Sequence, residues 1–346
     1  MEKHQLSSYV RGQFQEISKK LESACEIGLK SPEEGYALFE KQLRALEPED
    51  VPDVLYAFLR EKLSDTSNAL TAKAPEEMRD KHASFIRYLN RSYPNLQPLF
   101  RRGIDSTQRI ISPKGMEALV AVMREEKKLP FDVLVCGNLG KLTSLLEDIR
   151  GDIENFEEGK RFGAIVRSSS TFHLTPILIE KREGRLHVFI SDSLGDRSFG
   201  KDAYYNRILD CVSATLPDAL VFVSNVQRQV DSSNCPVFSM RDLIQLAEMP
   251  DIFTKLTDEG QLEADETKSG FPYSKVNVLP AKMMKMAQSS SKLDTYMREH
   301  PLKRTASLQK AREGIVKVEG KNLSQFVVRK YLKYENEIIR RVLIDN

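Results

Sequence analysis

The order of its apolar runs predicts an α+β chain. Helical patterning comes first, then a cluster of short β-rich segments with helices between and after them. Three observations carry this. Up to about residue 100, apolar side chains recur at helical spacing, as in VPDVLYAFLREKL, where Val54, Leu55, Phe58 and Leu59 share a face. From about 160, RFGAIVRSS, HLTPILIEKR, RLHVFISDS and ALVFVSNVQ read as strands bounded by turn residues. No GxGxxG or GxxxxGKS occurs in the 346 residues, so Rossmann and P-loop readings fall away.

The elements follow in order. Ser31-Pro32 before Glu33 and Glu34 is a helix start, with a Ser cap and Pro at the first helical position. MRDKHASFIRYLNRSYP is a further helix ending before Pro94. Glu183-Gly184 fits a hairpin turn between the second and third β-rich runs, and AYYNRILDCVSATLP is a helix before the fourth. PVFSMRDLIQLAEM is again helical, and the polar, acidic stretch from about 256 to 275 reads as an exposed loop. This suggests a helical lobe over 1–110, an α+β core over 111–255 and a basic C-terminal region over 256–346.

Composition narrows the function. With 40% hydrophobic residues the chain can bury a core, yet no run of 18 apolar residues exists to cross a membrane. The N-terminus lacks the apolar stretch of a cleavable signal. Cys25, Cys136, Cys211 and Cys235 form no CxxC pair, and the five histidines form no HExxH, which argues against a disulfide scaffold or a zinc hydrolase and for a reducing compartment. The net charge of +2 is unevenly spread: residues 270–346 carry 16 Lys and Arg against 7 Asp and Glu, and the rest carries 36 against 43. A basic tail of this kind suits nucleic acid, an acidic lipid surface or a polyphosphate, although basic helix faces are commonly just solvated.

Cys235 is the most suggestive residue. It follows QVDSSN and precedes Pro236 and an apolar helical pattern, so its sulfur is expected at a helix N-terminus, where the positive dipole end favours a thiolate. Taken alone, a buried structural cysteine is the commoner reading. His173 opens one strand and Asp192 closes the next, so adjacent antiparallel strands would bring imidazole and carboxylate together as base and orienting group. Asp196 is a substitute for Asp192 and His187 for His173, although His187 sits mid-strand as a packing residue would. Gln229 offers an amide for a developing oxyanion beside the Cys235 N–H.

This order of His, acid, Gln and Cys resembles the YopJ family of secreted bacterial effectors, whose fold is related to papain-like, Ulp/SENP-type cysteine proteases. The acid follows the histidine by 19 positions, the glutamine precedes the cysteine by 6, and histidine and cysteine lie 62 apart. QRQVDSSNCPVFS is similar to the family's Q-R-S-S-S-E-C-G-I-F-S. Further on, Leu279, Pro280, Lys285, Gln288, Leu293, Tyr296 and Pro301 match a family segment, and Arg329 and Lys330 match the basic pair of its closing helix. Two residues depart from the pattern: Pro236 replaces a glycine, removing one backbone donor, and Asp192 stands where many members have Glu.

The resemblance covers about 160–341 and implies His173 as base, Asp192 as orienter, Gln229 as oxyanion donor and Cys235 as nucleophile. It implies acetyl-CoA as substrate and inositol hexakisphosphate as activator, with Lys285, Gln288, Arg329 and Lys330 on the cofactor side and no metal. It also implies secretion by a specialised system into the host cytoplasm and host proteins, kinases or immune regulators, as partners, with no nucleic acid. Two other readings stand beside acetyl transfer. One is a cysteine isopeptidase acting on ubiquitin or SUMO conjugates. Against its SUMO form, Leu174 occupies the position after His173 where those proteases typically place Trp. The other is a non-catalytic effector that binds host proteins and phosphoinositides.

Overall fold

Between residues 132 and 276 the apolar runs form one seven-stranded mixed sheet. Its strands are β1 (Asp132–Cys136), β2 (Arg161–Arg167), β3 (Leu174–Arg182), β4 (Arg185–Ile190), β5 (Leu220–Ser224), β6 (Leu262–Glu266) and β7 (Pro272–Val276), in the spatial order β1-β2-β3-β4-β5-β7-β6. β2, β3 and β4 run antiparallel, β1 joins β2 in parallel, β5 lies parallel to both β4 and β7, and β6 closes the far edge antiparallel to β7. The computed structural model describes residues 100–102, 109–167, 173–195, 205–231, 233–267, 269–318 and 321–344. The expected N-terminal helices lie outside these residues. The chain divides into two units, one of Met1–Arg109, Val318–Gly320 and Leu332–Asn346, the other of Ile110–Lys317 and Lys321–Tyr331; every candidate residue named above belongs to the second.

Helices cover both faces of the sheet. α1 is Pro113–Glu125, α2 Leu139–Gly151, α3 Asn206–Thr215, α4 Cys235–Ala247, α5 Ile252–Glu259, α6 Ala281–Met284, α7 Ser290–Glu299, α8 Ala306–Glu313 and α9 Gln325–Ile344. On one face Leu142, Leu146 and Ile149 of α2 and Ile208 and Val212 of α3 share a core with Ala164, Ile177, Ile179, Val188 and Ile190. α4 packs across β2 and β3 on the opposite face. Gly163, out of phase with Ala164, makes room there: a Cβ on it would lie 2.9 Å from Val133 and 3.5 Å from Leu243 of α4. Burial on both sides explains why β3 and β4 read as continuous apolar runs.

One expectation is corrected. The stretch from 256 to 275 is no loop: it holds the end of α5, all of β6 and most of β7, so the sheet continues past residue 255. β6 looks like a loop in sequence because it is an edge strand with mostly exposed side chains, and its Asp265 pairs with Tyr273 and Lys275 on β7. β1, whose DVLVC is short and half exposed, was not anticipated as a strand.

Buried polar groups fasten α4 to the sheet. Arg228 and Asp242 are both 0% exposed and meet in a fork, Nη1 to Oδ1 and one Nη2 bond to Oδ2, each 2.6 Å. Ser191, at the end of β4, donates to Asp242 Oδ2 at 2.8 Å and accepts from Arg228 Nη2 at 3.1 Å. Ser239 Oγ donates to the Leu174 carbonyl at 3.0 Å. At the far end of α4, Arg161 of β2 donates to the carbonyls of Leu246, Met249 and Pro250, closing the helix C-terminus with a cation. Removing one member of a buried pair strands the other charge. Asp242→Ala is therefore expected to lose about 3–5 kcal/mol of stability, read by urea denaturation.

Candidate active site

The hairpin β3–β4 explains the 19-residue interval. Arg182 and Arg185 pair across a two-residue turn in which Glu183 (φ 53°) and Gly184 (φ 72°) are both left-handed, the primed geometry that suits twisted strands. Ile177 faces Ile190, and the same register two residues on sets Thr175 against Asp192. His173 lies two residues further, a diagonal neighbour of Asp192, and its Nε2 meets Asp192 Oδ1 at 2.9 Å. The Leu194 amide donates to the same oxygen at 2.8 Å and Thr175 Oγ1 to Oδ2 at 3.4 Å. The carboxylate is thus held on several sides, and both residues are buried. The turn beyond Asp192 needs Gly195: its φ is +58°, and a Cβ there would come within 2.6 Å of the Asn225 carbonyl oxygen.

Cys235 is the first residue of α4 and is fully buried, with Pro236 in the first turn. It hydrogen-bonds His173, so cysteine, imidazole and carboxylate form one chain. Burial alone would lower the His173 pKa. The Asp192 charge and hydrogen bond, then those of Cys235, outweigh burial and raise it to about 10. His187, the alternative base, lies elsewhere between the rings of Phe222 and Phe253 and is a packing histidine. Asp196 lies outside the described residues.

Gln229 is buried in the loop before Cys235. Its backbone N–H and that of Arg228 both donate to the Ser193 carbonyl at 2.8 Å, and its Oε1 accepts from Ser193 Oγ at 2.7 Å. The other end of the carboxamide donates to the Asp231 carbonyl at 2.8 Å, and because a carbonyl only accepts, that contact identifies it as the nitrogen. Asp231 in turn accepts from the Ser233 and Asn234 amides at 3.0 and 2.9 Å, an Asx turn leading into α4.

The expected cofactor residues separate. Lys285 is half-buried, and its pKa is lowered by that burial and by the nearby charges of Lys282 and Arg241. Gln288 is only 1% exposed and its polar groups face the Cys235 loop. Arg329 is exposed on α9, and Lys330 lies over the Phe326 ring. Leu279, Leu293 and Tyr296 are core: Tyr296 Oη donates to the Leu279 carbonyl at 2.7 Å, and burial pushes its pKa up. A cavity of about 290 Å³ opens beside the loop, lined by Val226, Gln227, Asn277, Met284, Lys292 and Tyr296 among others. Sequence reasoning passed over Arg228, Asp231 and Asp242, of which only Asp231, heading Asp-Ser-Ser-Asn, carried a turn signal.

With a raised pKa, His173 favours the folded state fully below the free imidazole value of about 6.5, and the contribution is lost as pH rises toward about 10. Asp192→Asn removes the supporting charge and leaves burial to act. The His173 ring signal in NMR titration is expected to move from near 10 to a clearly lower midpoint.

Comparison with known proteins identifies the family and the fold. The profile of the family described as YopJ Serine/Threonine acetyltransferase matches residues 59–341, starting well before the 160 expected from the motifs. The crystal structure of HopZ1a in complex with IP6 has a TM-score of 0.52 at 12% identity, covering 67% of this chain and 85% of HopZ1a. HopZ1a with IP6 and CoA gives 0.51 at 11% identity, covering 66% and 85%. AvrA delL154 with IP6 and CoA gives 0.49 at 18%, covering 64% and 86%. No curated protein matches in sequence. The α+β core with a mixed sheet between helices is thus the fold of HopZ1a, and the chain belongs to the YopJ serine/threonine acetyltransferase family.

Proposed function

We propose that this acetyltransferase works through an acetyl-cysteine on Cys235, with His173, Asp192 and Gln229 as its catalytic partners. The observation that carries the reading is the buried chain Cys235–His173–Asp192 at the start of a helix, with a histidine pKa near 10. At neutral pH the imidazole holds the proton it shares with Cys235, and the α4 N-terminus favours the sulfur's negative charge. Cys235 Sγ attacks the acetyl carbonyl of acetyl-CoA. The oxyanion that forms is met by the Gln229 amide and the Cys235 N–H, because Pro236 has none to offer. The C–S bond to CoA then breaks and His173 gives its proton to the departing sulfur. In the second half His173 takes the proton of a Ser, Thr or Lys side chain as that group attacks the thioester, and the proton returns to the Cys235–His173 pair. Asp192 fixes the ring orientation and supports the positive charge of the imidazolium.

The ligands named for the HopZ1a complexes, IP6 and CoA, suit the basic groups here. Lys285 lies among Lys282 and Arg241, cations whose mutual repulsion a phosphate would relieve. Lys285 is assigned to acetyl-CoA, with Arg329 and Lys330 toward inositol hexakisphosphate as activator. Among the described residues no helix is long and apolar enough to cross a membrane. We place the protein among effectors secreted into the host cytoplasm, with residues 1–110 selecting a host kinase or immune regulator and the C-terminal basic region acting as regulator.

Intact-protein mass spectrometry after incubation with acetyl-CoA is expected to show acetyl additions on wild type, increased by inositol hexakisphosphate and absent in Cys235→Ala. Capture of a ubiquitin or SUMO C-terminal probe at Cys235 without acetylation would make the protein an isopeptidase instead. Lys285→Gln is expected to raise KM for acetyl-CoA more than it lowers kcat, and a fall in kcat at constant KM would remove it from the donor site.

A further inference from the structure

The segment carrying α6 and α7 reaches the Cys235 loop through one buried side chain. Gln288 N–H donates to the Arg228 carbonyl at 2.9 Å. Its Oε1 accepts from the amides of Val230 at 2.8 Å and Asp231 at 3.4 Å, which uses both lone pairs. Its Nε2 donates to Asp231 Oδ2. Asp231 then divides its bonds. Oδ2 also accepts from Asn234 Nδ2 at 2.6 Å, and Oδ1 accepts from the Ser233 and Asn234 amides. The backbone carbonyl and Oδ1 take the Gln229 amide at 2.8 and 3.3 Å. A single residue therefore separates Gln288 from Gln229, and Asn234 alone separates Asp231 from Cys235.

We infer that Gln288 and Asp231 form a latch by which the α6–α7 segment sets the position of the Gln229 amide. Both are positioning residues, and the inference rests on the oxyanion role proposed above for Gln229. The geometry favours this over a ligand-facing Gln288. Met286, Ala287 and Leu293 around it are fully buried, so Gln288 cannot turn outward without unpacking its segment, and a displacement of α6–α7 must pull the loop with it. Lys292 of α7 adds a second tie, its Nζ donating to Gln227 Oε1 at 2.6 Å. Whatever moves this segment thereby alters stabilisation of the oxyanion without touching the Cys235–His173–Asp192 chain.

The polarity of the latch makes it testable. Gln288→Glu sets one carboxylate against another, and Asp231→Asn sets one N–H donor against another. The double variant restores a donor facing an acceptor, reversed in direction. Two reactions of Cys235 are compared on the full chain: the acylation burst with p-nitrophenyl acetate, which passes through an oxyanion, and alkylation by iodoacetamide from pH 5 to 10, which does not. The ester needs neither acetyl-CoA nor a protein acceptor, so the result is read independently of both. Each single variant is expected to slow acylation by about 10- to 100-fold, less than the roughly 100- to 1,000-fold cost of losing an oxyanion donor outright, because the amide is displaced and not removed. Its alkylation profile should match wild type, and the double variant should regain most of the acylation rate. The latch is overturned if acylation is unchanged in the singles, if acylation and alkylation fall together, or if the double variant is no faster than the slower single.

Discussion

A guanidinium and a carboxylate wholly withdrawn from water, Arg228 and Asp242, join the end of strand β4, the loop before Cys235 and the middle of helix α4. Burying two ions is costly, and the cost is offset here by a two-pronged fork and by the Ser191 hydroxyl that completes it. Three of the four proposed catalytic residues stand on those same segments, and His173 borders β3 beside them. Asp192 lies between Ser191 and Ser193, Gln229 follows Arg228, and Cys235 opens the helix that carries Asp242. Each is thus placed by a neighbour in sequence that is itself fixed by the pair. An apolar substitute could fill the volume, but it would not hold three separate backbones in one register.

The site itself balances opposing electrostatics. Burial pushes protons off His173, while the Asp192 carboxylate and the sulfur of Cys235 hold them on, and the second influence prevails. That outcome requires the carboxylate to stay aimed at one ring nitrogen, which the Leu194 amide and the Thr175 hydroxyl ensure from the side. At the far end of α4, Arg161 places a positive charge on the last carbonyls, matched to the sign of the local dipole.

Much of this was legible in the chain. His173, Asp192, Gln229 and Cys235 could be named because strand and helix starts leave local marks, and because spacing within a hairpin is a local quantity. Arg228 and Asp242 left no such mark: an arginine among polar residues and an aspartate in a helix read as solvent-facing, and only the tertiary fold shows otherwise. Gln288 could be picked out but not understood, since its partners are 57 and 58 residues away. The acidic strand β6 reads as a loop because an edge strand is not required to alternate, and DVLVC of β1 is too short and too exposed to stand out.

The two-residue turn at Glu183-Gly184 has a bearing on how this chain can change through evolution. Loops usually tolerate gain and loss of residues, but here the turn sets the phase of both strands it joins. One residue added or removed would put the Asp192 carboxylate on the wrong side of the sheet from the imidazole, and two would move it along by a full pleat. The stretch from His173 to Asp192 is therefore closed to variation in length as well as constrained in composition at Thr175, Gly184 and Ser191. Its tightest surface turn acts as a ruler for chemistry some way along the strands.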